Sequence, residues 1–357
     1  MRVMVVGCGA LGNEVLKNLV LLGVTHFVVV DFDVVEESNL TRSVLFRKAD
    51  VGRLKVDVVR QRMMELNPDI VVRTIAGDVA YDVGLGLLRQ TDVIVGCVDS
   101  RWARYCIQRL CLRVAKPWVD GGIFELEGTA RSFMPGCNCY ACSLGMEGLQ
   151  ELRRRMPCSN IIRRREAEGH APTTPIIASI IGAVQAQEAM RIGGAMLRLP
   201  AITPGRMFYY EGSSLTARIL NFEAWDEDCP LHDGWQIDDN EIAMSVTLDS
   251  SVAEFCTYLP EDSRMLLNEP FVDYIISRKT DEHYEVMLPA HKVEEFVENH
   301  SQLRYEPLSA FYQHEYNDIA ADFPYPQMTL RQLGIPENDI LRFVTPEGYR
   351  YHVMDVE

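Results

Sequence analysis

The stretch that decides the fold is RVMVVGCGALGNEVLKNLVLLGV, residues 2–24. It predicts a buried strand, a turn with the spacing G-x-G-x-x-G at residues 7–12, and an amphipathic helix. A second apolar run, Phe27–Val30, ends in Asp31, 19 residues after the last glycine of the turn. This order is typical of a β-α-β phosphate-binding unit, in which an acid after the second strand holds ribose hydroxyls. The alternative is a glycine turn that binds nothing.

The segment that follows carries charges suited to a triphosphate. DFDVVEESNLTRSVLFRKADVGRLKVDVV, residues 31–59, includes Arg42 and then Lys55, which opens another helix. Such cations can neutralise the charge that develops on phosphate oxygens during attack, which suits ATP better than a nicotinamide. An NAD-dependent oxidoreductase that uses only the glycine turn remains an alternative.

A further strand-like run ends in Asp99, within TDVIVGCVDSRWARYCIQ, residues 91–108. Ligands of open α/β sheets bind beyond the carboxyl ends of the strands. Asp99 is therefore predicted to hold Mg²⁺ through its carboxylate oxygens.

Four segments in this order, GCGALG, DFDVVEESNLTRSVLF, DVGRLKVDVV and VGCVDSRWARY, resemble the adenylation domain of ubiquitin-activating-type enzymes. This ThiF/MoeB-like family includes the activators of the molybdopterin and thiamine sulfur carriers. The resemblance covers roughly residues 1–235 and implies a Rossmann-like α/β fold that binds ATP and Mg²⁺. The nucleotide-binding residues that it implies are Gly7, Gly9, Ala10, Gly12, Asp31, Asp33, Asn39, Arg42, Lys55, Asp99 and Ser100. Among them, Arg42, Lys55 and Asp99 are also expected to be catalytic.

Members of this family usually begin with a helix whose arginine reaches the active site of a partner subunit. The present sequence opens at the first strand. The resemblance therefore implies a homodimer in which another residue supplies that charge, or a differently arranged dimer.

The cysteines fall into two groups. CNCYACSLG, residues 137–145, holds three of the ten cysteines, and a Cys-x-x-Cys pair can be half a metal site or a redox pair. The resemblance implies a second pair, and DEDCPLHDGW, residues 226–235, supplies one in which histidine replaces the usual cysteine. The predicted structural zinc ligands are Cys139, Cys142, Cys229 and His232. A turn without metal is the alternative, and Cys137 competes for a ligand place.

Cys158 lies before IIASIIGAVQAQEAM, residues 176–190. In family members that pass their cargo onward as a thioester, the nucleophilic cysteine precedes this helix. The resemblance thus implies that Cys158 is the nucleophile, within a catalytic segment of about residues 144–175. Neighbouring arginines can lower the pKa of a thiol. The alternative is an inert loop thiol in a solvated basic run.

Residues 239–357 have the pattern of a small α+β domain, with short strands in IAMSVTL, FVDYIISR and HYEVML, one helix in PAHKVEEFVENH and a closing hairpin. TLRQLGIPENDILRF, residues 329–343, is similar to ubiquitin-fold (β-grasp) modules. In eukaryotic enzymes of this family such a module recruits the conjugating enzyme. We therefore expect an adenylation domain over residues 1–238 and a docking domain over 239–357. A scaffold extension that supports a dimer is the alternative.

Composition excludes several classes of protein. A net charge of −16 argues against binding to nucleic acid or acidic membranes. No apolar run reaches the length of about 18 residues that a membrane span needs. The sequence opens without a basic leader, and its cysteines lack framework spacing. These features favour the cytoplasm.

Together, these patterns predict an activating enzyme for a ubiquitin-like protein, with a compact layout that looks bacterial. ATP and Mg²⁺ would adenylate the partner's C-terminal carboxylate, Cys158 would form a thioester, and a conjugating-enzyme-like protein would receive the cargo. A sulfur-carrier adenylyltransferase without the thioester step is an alternative. A catalytically idle scaffold partner is another, which Arg42, Lys55 and Asp99 argue against.

Overall fold

The computed structural model describes residues 1–154, 173–194, 205–221, 226–232, 234, 236–237 and 240–354. Contacts divide this part of the chain into two compact units. The first consists of described residues within 1–83, 88–152 and 170–236. The second consists mainly of described residues within 237–357, together with 84–87.

Eight strands form the central sheet of the first unit: β1 Arg2–Val6, β2 His26–Val30, β3 Val71–Ile75, β4 Val93–Gly96, β5 Trp118–Phe124, β6 Glu127–Phe133, β7 Arg206–Glu211 and β8 Thr216–Asn221. Their order across the sheet is β3-β2-β1-β4-β5-β6-β7-β8. The pairs from β3 to β5 are parallel, and those from β5 to β8 are antiparallel. The carboxyl ends of β1, β2 and β4 therefore lie side by side at one edge of the sheet.

Among the described residues, the helices before the second sheet are α1 Ala10–Leu21, α2 Lys55–Leu66, α3 Leu85–Arg89, α4 Arg101–Arg113, α5 Tyr140–Arg154 and α6 Pro175–Ile192. All except α3, which begins in residues assigned to the second unit, accompany the first sheet. The predicted order of strand, glycine turn, helix and strand is confirmed by β1, α1 and β2. Residues 3–6 of β1 are all buried, as expected for a central parallel strand covered on both faces. A Cβ on Gly182 of α6 would lie 2.7 Å from Glu14 Cβ, so glycine permits the close packing of α6 on α1.

The second unit is built on a five-stranded antiparallel sheet. Its elements are α7 Val252–Cys256, β9 Arg264–Ser277, β10 His283–Pro289, α8 Val293–Asn299, β11 Phe311–Ile319, β12 Ile340–Thr345 and β13 Gly348–Val353. β9 pairs with β10, β11 and β12, and β12 and β13 form the predicted closing hairpin. The predicted short strand FVDYIISR, except for its last residue, forms the end of the 14-residue β9. The pairing of β9 with β10 and with β11 shifts register at bulges.

The start of this unit differs from the predicted strand IAMSVTL. Residues 242–246 are extended, and a single parallel bridge joins Glu241 to Tyr351. Met244, Val246 and Leu248 are nevertheless buried in the core of the unit. An α+β second domain is therefore confirmed. Among the described residues, no helix combines the length and the apolar character needed to cross a membrane.

Candidate active site

Two glycines of the turn lie close to backbone oxygens, and the third, Gly9, faces open space among the described residues. A Cβ on Gly7, whose φ is +96°, would lie 2.5 Å from the carbonyl oxygen of Cys97. A Cβ on Gly12 would lie 2.0 Å from the carbonyl oxygen of Gly7. A Cβ on Gly9 would meet nothing within 4 Å. Gly9 precedes α1, whose first residue is Ala10 and whose N-terminus has no side-chain cap, so the helix presents amide donors that suit a phosphate.

Asn13 holds this turn from inside the fold. It is 0% exposed, and its Nδ2 donates to the carbonyl oxygens of Cys8 at 2.7 Å and Gly9 at 3.0 Å. Its Oδ1 accepts from the amide of Leu45 at 2.8 Å. Asn13 thus joins the turn to the segment that follows Arg42. The sequence analysis missed this residue, although a polar side chain within an apolar helix was the available signal.

Replacing Asn13 with aspartate is expected to destabilise the turn. A carboxylate retains the acceptor for Leu45 but has no donor for the two carbonyl oxygens. Leaving these buried groups unsatisfied should lower the free energy of unfolding by about 2 kcal/mol and should weaken ATP binding. Urea unfolding and ATP titration measure the two effects, with Asn18→Asp on the same helix as the control. ATP affinity equal to wild type in the Asn13 variant would contradict this prediction.

Asp31 lies at the end of β2, next to the glycine turn. Its Oδ2 accepts from the amide of Cys8 at 2.6 Å, and its Oδ1 accepts from the amide of Asp33 at 2.7 Å. The carboxylate is therefore oriented by backbone from both sides. This placement brings the predicted ribose ligand to the predicted phosphate turn, while ribose binding itself stays a prediction.

Lys55 begins α2 and pairs with Asp33. Lys55 Nζ lies 2.8 Å from Asp33 Oδ2, and only 10% of the lysine side chain is exposed. The amide of Lys55 also donates to the carbonyl oxygen of Asp33 at 2.8 Å. The structure thus brings these two predicted site residues together, at the carboxyl end of the same strand that carries Asp31.

Asn39 and Arg42 belong to a short 3₁₀ turn, Glu37–Thr41 and its end. Asn39 Oδ1 accepts from the amide of Glu36 at 3.1 Å, and Arg42 Nη1 donates to the carbonyl oxygen of Ser38 at 2.8 Å. Both side chains thus stabilise the turn itself. The Asn13–Leu45 hydrogen bond connects this segment to the glycine turn, and the catalytic role of Arg42 stays a prediction.

Asp99 and Ser100 lie between β4 and α4. Asp99 is exposed, and Ser100 caps α4 by accepting from the amide of Ala103 at 2.9 Å. Arg104, which the sequence analysis did not single out, holds the backbone here. Its Nη2 donates to the carbonyl oxygen of Val98 at 2.8 Å, and its Nη1 lies 3.4 Å from that of Asp99. An exposed carboxylate on a fixed backbone suits a Mg²⁺ ligand.

The four predicted metal ligands meet in one cluster, here called the clamp: Cys139, Cys142, Cys229 and His232. Cys139 Sγ lies 3.5 Å from Cys142 Sγ and 3.6 Å from Cys229 Sγ. Cys142 Sγ lies 3.5 Å from His232 Nε2. These separations approach the ~3.8 Å edges of a tetrahedral site with metal–sulfur bonds of about 2.3 Å. Cys137 is not a member of the cluster.

The surroundings of the clamp also fit a metal. His232 Nδ1 lies 3.0 Å from the carbonyl oxygen of Asp226, which leaves Nε2 as the ligand atom, as in many metal sites. A hydrogen bond from the Cys139 thiol lowers the pKa of Cys229 to about 6, while the pKa of Cys139 rises. A thiolate, the form that binds metal, is therefore available at neutral pH. Leu149 and Leu231 pack around the sulfur atoms.

Cys158 lies outside the described residues. The same holds for residues 155–172 of the predicted catalytic segment, including the arginines at 163–165. The nucleophilic role of Cys158 therefore stays a prediction.

The first unit coincides with a known family. The model of the ThiF family matches residues 1–231. The chain belongs to the ThiF family. This membership confirms the predicted Rossmann-like adenylation-type fold. The matched range includes the glycine turn, the strand ends and three of the four clamp residues, and it ends one residue before His232.

Several curated proteins are similar to part of this ThiF-family protein. The SAMP-activating enzyme E1 of Haloferax volcanii is 30% identical over 230 residues, which are 64% of this chain and 79% of the relative. The adenylyltransferase and sulfurtransferase MOCS3 of Culex quinquefasciatus is 31% identical, and the match covers 64% of this chain and 49% of the relative. The SUMO-activating enzyme subunit 2 of Dictyostelium discoideum is 33% identical over 40% of this chain and 22% of the relative. The chain thus spans half or less of the last two proteins.

Solved structures show the same fold. The structure of E. coli MccB with ATP has a TM-score of 0.51 and 21% identity, and the match covers 64% of this chain and 66% of that one. MccB with succinimide has a TM-score of 0.52 and 22% identity over the same shares of the two chains. At this identity the likeness concerns the fold alone.

Proposed function

We propose that this ThiF-family protein activates the C-terminal carboxylate of a ubiquitin-like protein by ATP-dependent adenylation. The observation that carries the proposal is the row of groups at adjacent strand ends: the open turn at Gly9, the Lys55–Asp33 pair and the exposed Asp99. Such a row suits a triphosphate at the carboxyl edge of an α/β sheet. Relatives named as activating enzymes and adenylyltransferases support it.

In this proposal the turn at residues 7–12 holds the phosphates, and Asp31 holds the ribose. A carboxylate oxygen of the partner attacks the α-phosphorus, a new O–P bond forms, and the bond to pyrophosphate breaks. Lys55 and Arg42 neutralise the charge on the phosphate oxygens. Mg²⁺ on Asp99 would neutralise the leaving pyrophosphate. Asn39 and Ser100 would complete the nucleotide pocket in addition to their capping roles.

The adenylate would then react with Cys158. Its thiolate attacks the acyl carbon, a thioester forms, and AMP leaves. The cysteines that the structure describes support this choice indirectly. Burial raises the pKa of Cys8, Cys97 and Cys111, which makes these thiols poor nucleophiles, and three others belong to the clamp. The second unit would hold a conjugating-enzyme-like protein near the thioester, and the enzyme would act as a cytoplasmic homodimer.

A sulfur-carrier adenylyltransferase is the second candidate. Relatives named as adenylyltransferase and sulfurtransferase MOCS3, and one named as a probable molybdopterin-synthase adenylyltransferase, favour it. In that case the adenylate forms in the same site, and Cys158 takes no part.

ATP–pyrophosphate exchange tests the proposed function. The probe is a small β-grasp protein with a flexible C-terminal tail, selected from the proteins that the neighbouring genes encode. We expect exchange that requires Mg²⁺ and an intact tail, and a reducing-agent-sensitive adduct in the full reaction. Exchange without the adduct would identify the sulfur-carrier activity. No exchange, combined with an absorbance change in the presence of NADH, would identify the oxidoreductase.

We propose that the clamp holds one structural Zn²⁺ per chain, because three thiols and one imidazole are the donors that zinc prefers. Metal analysis of the purified protein should find about one zinc per chain. The Cys139→Ser/Cys142→Ser variant should lose the metal and unfold at a lower temperature. Cys137→Ser, which changes a thiol outside the cluster, should retain both metal and stability. A stable wild-type protein without zinc would contradict the proposal.

A further inference from the structure

Two buried arginines lie on either side of Asp120, a residue of β5 without a role in the proposed chemistry. Arg104 Nε lies 2.9 Å from Asp120 Oδ1, and each of these side chains is 14% exposed. Arg131 is the cross-strand neighbour of Asp120 on β6 and is 5% exposed. Burial lowers the pKa of Arg131, and the Asp120 carboxylate opposes that effect. The carboxylate therefore forms an ion pair with Arg104 of α4 and interacts electrostatically with Arg131 of β6.

The residues that directly follow two clamp cysteines contact these arginines. Tyr140 follows Cys139, and its side chain interacts electrostatically with the Arg104 guanidinium. Ser143 follows Cys142, and its Oγ accepts from Arg131 Nη1. The residue after each cysteine of the Cys-x-x-Cys pair thus contacts one of the two arginines. A change in the position of the clamp must displace them.

The other side of the Arg104 guanidinium contacts the backbone just after β4 and within β5. It donates to the carbonyl oxygens of Val98 at 2.8 Å and Gly121 at 3.1 Å, and it lies 3.4 Å from that of Asp99. Only the planar, five-donor group of arginine can serve these acceptors and the Asp120 carboxylate together. The backbone that carries Asp99 is therefore held by the same side chain that contacts Tyr140.

We propose that Arg104 is a positioning residue through which the metal-filled clamp favours Mg²⁺-dependent ATP binding at Asp99. The proposal rests on the nucleotide site of the proposed function. A filled clamp holds Tyr140 and Ser143, these hold the two arginines around Asp120, and Arg104 holds the backbone of Asp99. Because coupling between two binding sites is reciprocal, Mg·ATP must raise the affinity of the clamp for its metal by the same factor.

Calorimetric titration of ATP measures the first half of this coupling. With Mg²⁺ present, metal-free protein is expected to bind ATP about tenfold more weakly than zinc-loaded protein, within the usual range of such couplings. Without Mg²⁺, the two forms should bind ATP about equally. Competition for zinc with a chromogenic chelator measures the second half, which should show the same factor when Mg·ATP is added.

Variants that retain all four clamp residues distinguish a loss of coupling between the two sites from a loss of the fold. Zinc-loaded Tyr140→Phe and Arg104→Lys should contain one zinc per chain, bind Mg·ATP several-fold more weakly, and lose the effect of Mg·ATP on zinc affinity. Tyr209→Phe is the matched control, because it removes a hydroxyl that hydrogen-bonds Glu127 on β6 and lies outside this set of contacts. It should behave like wild type.

Two results would overturn the inference. One is equal Mg·ATP affinity of folded wild-type protein with and without zinc. The other is unchanged coupling in both Tyr140→Phe and Arg104→Lys. Zinc-loaded wild-type protein that binds no ATP would instead contradict the proposed nucleotide site, so the two failures are distinguishable.

Discussion

Asp99→Asn is expected to lower ATP–pyrophosphate exchange by about 100-fold or more, the usual effect of removing one electrostatic group from a transition state. The amide is a much weaker Mg²⁺ ligand than the carboxylate. The side chain is exposed at the end of β4, and its backbone is held by Arg104. The substitution should therefore leave the fold intact and act on the chemistry alone.

Asp69→Asn is the matched control, since Asp69 is an exposed acid of the same unit. Both variants should change the free energy of unfolding by less than about 0.5 kcal/mol. Raising the Mg²⁺ concentration should restore part of the exchange in Asp99→Asn only. Exchange in that variant at the wild-type rate and Mg²⁺ dependence would remove Asp99 from the metal role.

Cys158→Ala is expected to abolish the reducing-agent-sensitive adduct with the ubiquitin-like protein completely. The thioester needs the sulfur atom, whereas adenylation does not. ATP–pyrophosphate exchange should therefore continue in this variant. Non-reducing electrophoresis after incubation with ATP and Mg²⁺ measures the adduct, and the exchange assay measures the first step.

Cys137→Ala provides the comparison for this experiment. Cys137 is a half-buried thiol outside the clamp, and its loss should leave the adduct unchanged. An adduct that survives in Cys158→Ala and disappears in Cys137→Ala would make Cys137 the nucleophile. Exchange without an adduct in wild type and in both variants would favour the sulfur-carrier activity.

Much of the fold could be predicted because its signals are local. An apolar strand, a turn that only glycine can form at Gly7 and Gly12, and an acid after β2 follow one another within 31 residues. The meeting of the four clamp residues was also predictable, although Cys139 and Cys229 are 90 residues apart. Each pair of potential ligands is recognisable from its short spacing in the sequence. The resemblance to the ThiF family implies that the two pairs lie together in the fold.

Other roles could not be separated in the sequence. A polar residue at the start of a helix can bind a ligand or cap the helix, and the sequence does not distinguish these two roles. In the structure, Ser100 caps α4 and Asn39 caps its own turn. Their nucleotide-binding roles stay predictions, as do those of the strand-end residues.

The sequence by itself determined the β-α-β unit, the second α+β domain and the identity of the four clamp residues, because each depends on spacing along the chain. Only the tertiary structure decided that Asn13 connects the glycine turn to Leu45 and that Arg104 pairs with Asp120. These contacts are hydrogen bonds between residues of different elements. A buried polar group needs a hydrogen-bond partner, and the packing of the fold determines which group lies near it. The spacing of residues along the chain does not identify that partner.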